Sequence, residues 1–358
     1  MIIWVGLSLP MTLKQISING IRLSPEMLQV RQYSSPGNSG YRAPIYQALA
    51  EDKINIACLG FENRASGASI LCCIDKKLYK EAIEKYSDEK HSDQDNSKTL
   101  GYENISRVCS ISVYPHHSSL NTLGFLLQLF GQNKIRFQHL VSSNAMISFV
   151  IEMSDQKMVL DLLEQEFNLP PTHTPFQQDF HDQTCEFVKK RYYETRATYI
   201  EQKIKTYGIG MEPCLDLLEI SCTPDQLKNC GKGIRSLEKR GKKFYFTCAT
   251  THPGDENICR LFCLMTPLSS LDRQSFLLEF KADKGLDICG FVPADLISFH
   301  GPHFGDRFGI FNTAMACFQT EAIPILLAGC TGASICIVLP VSRGEKAISA
   351  LVKGFDTP

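Results

Sequence analysis

Apolar positions along this chain alternate between runs of period two and runs near period 3.6, so strands and helices take turns along the whole sequence. The clearest run lies near the C-terminal end. Leu296 to Phe299 reads as a strand, followed by the turn His300-Gly301-Pro302-His303-Phe304-Gly305-Asp306. Ile310, Phe311, Ala314, Met315 and Phe318 then share one helical face. Ile323 to Leu327 and Ser334 to Leu339 read as two more strands. Ala347, Ile348, Leu351, Val352 and Phe355 mark the buried side of a last helix. The order strand, helix, strand, strand, helix fits one small ferredoxin-like unit.

The same order recurs upstream. Ile16 to Ile21 is strand-like, Pro36 to Pro44 is turn-rich, and Ile45, Ala48 and Leu49 follow at helical spacing. Ile54 to Leu59 and Ser69 to Ile74 flank a polar hairpin, and Tyr79, Ala82, Ile83 and Tyr86 predict a helix. A second copy begins with the strand Cys109 to Val113, and its first helix carries Leu123, Leu126, Leu127 and Phe130. Ile135 to Val141 and Met146 to Ile151 form its hairpin, and Leu162, Leu163 and Phe167 face inward from its second helix. A weaker third copy starts near Leu215, with Leu227, Cys230, Ile234 and Leu237 on a helix before strands at Phe244 to Ala249 and Ile258 to Met265. Ser87 to Gly101 is polar and aperiodic, a surface linker. Phe176 to Tyr207 carries Phe180, Phe187, Val188, Tyr192, Tyr199 and Ile204 roughly at helical spacing, so connector helices are expected there, with Lys189, Lys190 and Arg191 on a solvated face.

The Gly/Pro turn, the helix after it and the small-residue stretch Gly329-Cys330-Thr331-Gly332-Ala333-Ser334 together resemble an ACT domain, most closely those of aspartate kinases. The passage from Ala48-Leu49 to Ile54-Asn55-Ile56 is similar to ACT helix 1 running into strand 2. The resemblance implies an α+β fold of four ACT-like, ferredoxin-like βαββαβ units with antiparallel sheets and helices on one face. The units are expected at 12–87, 105–169, 213–281 (divergent) and 286–356 (aspartate-kinase type), with a helical connector at 173–210. Edge strands of such units pair side by side, which hides the edges and builds clefts at the seams. It also implies a non-catalytic regulatory protein that binds a small ligand, an amino acid, at ACT–ACT interfaces; lysine, threonine and methionine are the first candidates. Two alternatives stay open: a stand-alone regulatory subunit of an aspartate kinase or other amino-acid kinase, and a protein-interaction scaffold with degenerate sites. A homodimer is compatible with all three.

The best site candidate is the turn before the helix at Ile310. Free backbone N–H groups at a helix start, with the helix dipole, favour a carboxylate. Gly301, Gly305 and Gly309, with Pro302 in the same turn, allow a close main-chain approach. Asp306 is a candidate for the ligand's ammonium group, and His303 or Arg307 for its side chain; the plainer reading makes Asp306 an N-cap and the glycines turn formers. In aspartate-kinase ACT domains the effector sits at this turn and the start of strand 2, usually across an interface. Carried over, that implicates Ile323, Pro324 and Ile325, with Thr331 and Ser334 nearby. His303-Phe304 and Pro324 depart from the family pattern and leave the ligand's identity open. The loop Ser34 to Tyr41 is a second candidate, with Asn55 as its partner.

Composition narrows the alternatives. With 44% hydrophobic and 21% charged residues and a formal charge of -1, neither nucleic acid nor an anionic membrane is favoured as a partner. Met1 to Pro10 is apolar but too short to span a bilayer and lacks a basic start, so a cytoplasmic location is expected. The chain has fifteen cysteines but no C-x-x-C pair, and most sit in apolar runs, as free structural thiols in a reducing compartment would. His116-His117 on extended backbone point apart and make a poor metal pair. No metal or cofactor is expected. Phosphate-loop, dinucleotide, nucleophile-elbow and zincin motifs are all missing, and the kinase domain that precedes ACT units in aspartate kinases is not expected here.

Overall fold

A computed structural model describes residues 16–34, 44–65, 67–76, 102–171, 203–252, 255–281, 286–302, 304–305, 307–331 and 334–358. Two short strands come first, β1 (Ile16–Ser17) and β2 (Gly20–Leu23). One block then runs β3 (Met27–Ser34), α1 (Ile45–Glu51), β4 (Ile56–Arg64), β5 (Gly67–Asp75). The second runs β6 (Tyr102–Tyr114), α2 (Leu120–Gln132), β7 (His139–Ser142), β8 (Ile147–Glu152), α3 (Gln156–Glu166) and β9 (Phe167–Asn168). After β10 (Ile204–Lys205), the third runs β11 (Gly208–Cys222), α4 (Leu227–Glu238), β12 (Phe244–His252), β13 (Asp255–Met265) and α5 (Ser270–Lys281). The fourth runs β14 (Asp287–His300), α6 (Ile310–Thr320), β15 (Leu327–Cys330), β16 (Ser334–Pro340), α7 (Gly344–Gly354) and β17 (Phe355–Asp356). Local signals set several starts. Ser119 Oγ accepts from Thr122 N at the head of α2, and Thr223 and Gln226 form a reciprocal capping box ahead of α4.

Thirteen strands form one antiparallel sheet. Because β8 also pairs with β6, the sheet closes on itself in the order β6-β3-β5-β4-β15-β16-β14-β11-β13-β12-β7-β8, with β2 beside the end of β6. Closure does for this chain what it does for a barrel: it removes bare edges. The helices lie outside. One outer core joins the second and third blocks, with Leu126, Phe130, Phe149, Ile234 and Phe276 among its members. A second joins the first and fourth, with Leu49, Leu59, Phe311, Phe318 and Ile337. The inner faces of the strands share a third, built on Leu71, Val141, Phe246, Leu264 and Val338. Strands with an apolar core on each face explain runs such as ISFVIE in β8, buried almost throughout.

Blocks therefore meet in two ways. First strands pair within each half of the chain, β3 with β6 and β11 with β14. Second strands pair between halves, β4 with β15 and β7 with β12. Each half is also clipped by a short parallel pair, Ile16–Ser17 on Phe167–Asn168 and Ile204–Lys205 on Phe355–Asp356.

Three expectations need correction. The first block's opening strand is Met27–Ser34, not Ile16 to Ile21. Its inward positions include Gln29 and Arg31, buried polar groups that mask the strand's alternation. Ile323 to Ile325 is not strand: Ile323 N bonds back to Phe318 O, Pro324 has no N–H to give, and β15 begins at Leu327. Ile204, expected on a connector helix, lies in β10. The rest of that connector up to residue 202, the helix at Tyr79 to Tyr86, the linker Ser87 to Gly101 and most of the loop Ser34 to Tyr41 fall outside the described residues. Among the described residues, no helix is long and apolar enough to cross a membrane.

Candidate functional site at the seam of the first and fourth blocks

The turn after β14 packs against the start of β4. Asn55 Nδ2 donates to Gly305 O at 2.6 Å, tying the first block to the fourth-block turn. Gly309 caps α6 with φ 77°, a left-handed value that suits glycine, and its carbonyl accepts from Thr313 N. Behind it, Tyr46 of α1 meets Phe311 of α6 edge-on at 5.2 Å. Burial pushes the Tyr46 hydroxyl's pKa up. These groups surround a cavity of about 20 Å³ lined also by Ile54, Ile56, Phe304, Arg307, Ile310, Asn312, Cys330 and Ile335. That volume suits about one water molecule. The first residues of α6, Ile310 to Asn312, line the cavity, so the positive end of a helix dipole lies at a mostly apolar slot that Asn55 and Arg307 also line.

Of the residues singled out from sequence, Asn55, Arg307 and Gly309 line this cavity, and Gly305 is held at its rim by Asn55. Gly301 sits elsewhere: a Cβ there would strike the Lys205 carbonyl, so it serves the docking of β10. Pro302 follows it in the turn, half-buried. Ile323 and Ile325 are buried at the opposite end of the seam. β4 and β15 run antiparallel, with Leu59 opposite Cys330 and Glu62 opposite Leu327, and Asn63 Nδ2 bonds to Ile325 O. Ser334 pairs with His300 in β16, its Oγ buried without a partner, as is Thr331 Oγ1. His303 and Asp306 lie outside the described residues. Asn55 bonds to the fourth block's turn, while the loop of its own block expected to partner it falls almost wholly outside the described residues. Tyr46, Phe311, Cys330 and Ile335 carried no sequence signal beyond that of ordinary core.

The matching seam between the second and third blocks is filled. Phe244 N donates to Ser118 O at 3.1 Å, the counterpart of the Asn55–Gly305 tie. The His116 ring packs on Phe244 with centroids 4.7 Å apart and planes tilted by 38°. Ser118 N donates to His116 Nδ1, so Nε2–H donates to Ser143 O. Burial lowers the His116 pKa and keeps the ring neutral. Above this seam α2 and α4 are in close contact, Gly124 against Gly231 with no room for a Cβ on either.

No protein-family model matches the chain, and no curated protein matches it by sequence. Solved structures do match by shape. An aspartate kinase from Synechocystis aligns with 95% of this chain at a TM-score of 0.69 and 14% identity. The chain spans 56% of that enzyme's length. The regulatory subunit of aspartate kinase from Thermus flavus aligns with 42% of this chain and 99% of its own, TM-score 0.36, 14% identity. The ligand-free regulatory subunit from Thermus thermophilus gives 43% and 100%, TM-score 0.35, 15% identity. The likeness to the Synechocystis enzyme shows an aspartate-kinase-like fold, a mixed α/β arrangement around a large antiparallel sheet.

Proposed function

We propose that this chain is a non-catalytic regulatory protein of four ACT units that binds an amino acid at the seam of its first and fourth units. One observation carries this reading: the α6 N-terminus, the glycine turn and Asn55 converge on one cavity across two blocks. The ligand's carboxylate would meet the free N–H groups at the start of α6, and its side chain the apolar wall of Ile54, Ile56 and Ile335. Since the cavity is about water-sized, the ligand enters only when the Asn55–Gly305 tie releases and the turn lifts. Binding is thereby coupled to how the two blocks sit, and a useful switch needs about 1–3 kcal/mol of differential affinity. Lysine, threonine and methionine are the first ligands to try.

The test is a thermal-shift panel of all the standard amino acids on the full chain, repeated with Gly309→Val. A ligand at about a hundred times its dissociation constant adds about 2.7 kcal/mol. One amino acid raising the melting temperature of the parent and not of the variant supports the reading. No shift from any of them rejects it.

A further inference from the structure

Helix α4 carries a feature the cavity does not use. Lys228, Lys232, Arg235 and Lys239 fall at spacings of four, three and four, which places them on one face. That stripe runs about 16 Å along the helix. Lys228, Lys232 and Lys239 have no carboxylate partner among the described residues, and Lys232 and Lys239 are exposed. Beside the stripe, α2 and α4 bound an open groove of about 460 Å³ lined by Asn121, Gln128, Lys232, Arg235, Ser236 and Lys239, with Glu238.

Arg235 is fixed in that groove. Its Nε donates to Asn121 Oδ1 and its Nη1 to Gln128 Oε1, both at 2.7 Å, and its Cζ lies 5.7 Å from the Phe125 ring centre. The remaining N–H groups, on Nη2 and the second position of Nη1, are left for a bidentate acceptor. Glu238 also lines the groove, its Oε2 held at the head of α2 by Asn121 N at 2.6 Å and Ser119 Oγ at 2.8 Å, and its single negative charge is outweighed by Lys232, Arg235 and Lys239 in the same lining. The result is a pre-set guanidinium flanked by two mobile ammonium groups in a cleft of ligand-binding size.

We propose that this groove docks an acidic segment of a protein partner. Charge complementarity selects the occupant. A single small anion would reach Arg235 and one lysine, whereas the cations extend over about 16 Å. An extended chain presents alternate side chains about 7 Å apart, so carboxylates at every second position meet successive cations of the stripe. Nucleic acid fits less well: the groove offers no open aromatic face for stacking, since Arg235 covers Phe125, and the chain's formal charge is -1. This surface is separate from the amino-acid cavity, so either reading stands or falls without the other.

The test uses the full chain and a fluorescent oligoglutamate peptide of about ten residues, read by anisotropy in low salt. Saturable binding is expected, weakened at least ~10-fold by Lys232→Glu with Lys239→Glu and also by Arg235→Ala, but little changed by Lys157→Glu on α3. Circular dichroism confirms that the surface variants remain folded. The proposal is overturned if the peptide does not bind, or if the charge reversals leave its affinity unchanged. It is equally overturned if pyrophosphate or a single-stranded oligonucleotide of matched charge binds the groove as tightly as the peptide.

Discussion

Gly60 on β4 faces His139 on β7 across the interior of the closed sheet, so closely that a Cβ on the glycine would collide with the imidazole Cε1. Its neighbour across the seam, Gly329, would meet Val141 Cγ2 at 2.6 Å in the same way. The two seams between halves thus lie back to back, and glycines on one make room for side chains on the other. Gly60→Ala is expected to cost about 1–3 kcal/mol by overpacking, and less when His139 is also replaced by alanine. Urea unfolding of the four members of this cycle measures it. Strictly additive losses would show that the ring is not what limits the site.

His139 is wholly buried, and its Nδ1–H donates to Ala249 O at 2.9 Å. Burial, with some help from the charge of Arg31, lowers its pKa to about 4. Unfolded, the ring titrates near 6.5, so between about pH 4 and pH 6.5 the unfolded chain binds more protons. Stability from this group is therefore complete above about pH 6.5 and is lost as pH falls toward about 4, by on the order of 3 kcal/mol in full. His116, with its pKa also lowered by burial, adds in the same direction. His139→Gln should flatten the slope of melting temperature against pH in that window; an unchanged slope would place the acid sensitivity elsewhere.

Within the same interior, Glu62 of β4 holds two arginines, Arg260 at 3.1 Å and Arg64 at 2.5 Å, while Arg64 also pairs with Glu219. Glu62 and Arg260 are 3% and 7% exposed, so the pair is buried and it crosses from the first block to the third. Removing one partner strands the other charge. Glu62→Ala is expected to lose about 3–5 kcal/mol, and adding Arg260→Met to restore part of it. Chemical denaturation decides, and a loss below about 1 kcal/mol would mean that water already solvates this cluster.

Much of this architecture could be read from the chain, but unevenly. The outer faces of the strands and the helix faces that cover them are apolar, so the spacing of Leu227, Cys230, Ile234 and Leu237, or of Ile310, Phe311, Ala314 and Phe318, marks their helices. The inner faces hold Gln29, Arg31, Glu62, Thr250 and Arg260, and only closure brings Arg31 to Thr251 and both Thr250 and Arg260 to Glu62. That camouflage hides strand β3 in the sequence. At the site, the glycine turn and Asn55 stood out, yet their partnership did not, because repeated units say nothing of which second strand meets which turn. Ile323 and Ile325 lie at the end of the seam away from the turn, because of an antiparallel register that only the fold supplies.

Asn55 gives the most direct test of the turn's release. Asn55→Ala removes the bond to Gly305 O, an exposed tie expected to contribute about 1 kcal/mol. Amide exchange in Phe304, Gly305 and Arg307 to Ile310 should speed up, while α4 and β13 stay unchanged. Equal exchange in parent and variant would show that the turn is held by packing alone.

Where α2 meets α4, a methyl group at position 231 would run into the Gly124 carbonyl and lie 2.7 Å from Gln128 Cγ. Gly231→Ala is expected to push the helices apart, cost about 1–3 kcal/mol and unseat Arg235 from Gln128. Thermal unfolding gives the cost, and weaker oligoglutamate binding by the folded variant reports the second effect. A variant as stable as the parent would mean that the helices have slack.

The short parallel clips have a further consequence. Ile16–Ser17 returns to Phe167–Asn168, and Ile204–Lys205 to Phe355–Asp356, so each half closes upon itself before it meets the other. Among the described residues the halves then join through β4–β15, β7–β12, the contact of α2 with α4, buried pairs such as Glu62–Arg260, and the cores on both faces of the sheet. They stand to each other as two protomers of an isologous dimer that share one chain, and that covalent link is the tether that sets their effective concentration. Cutting that tether would turn a concentration-independent fold into an association with a dissociation constant.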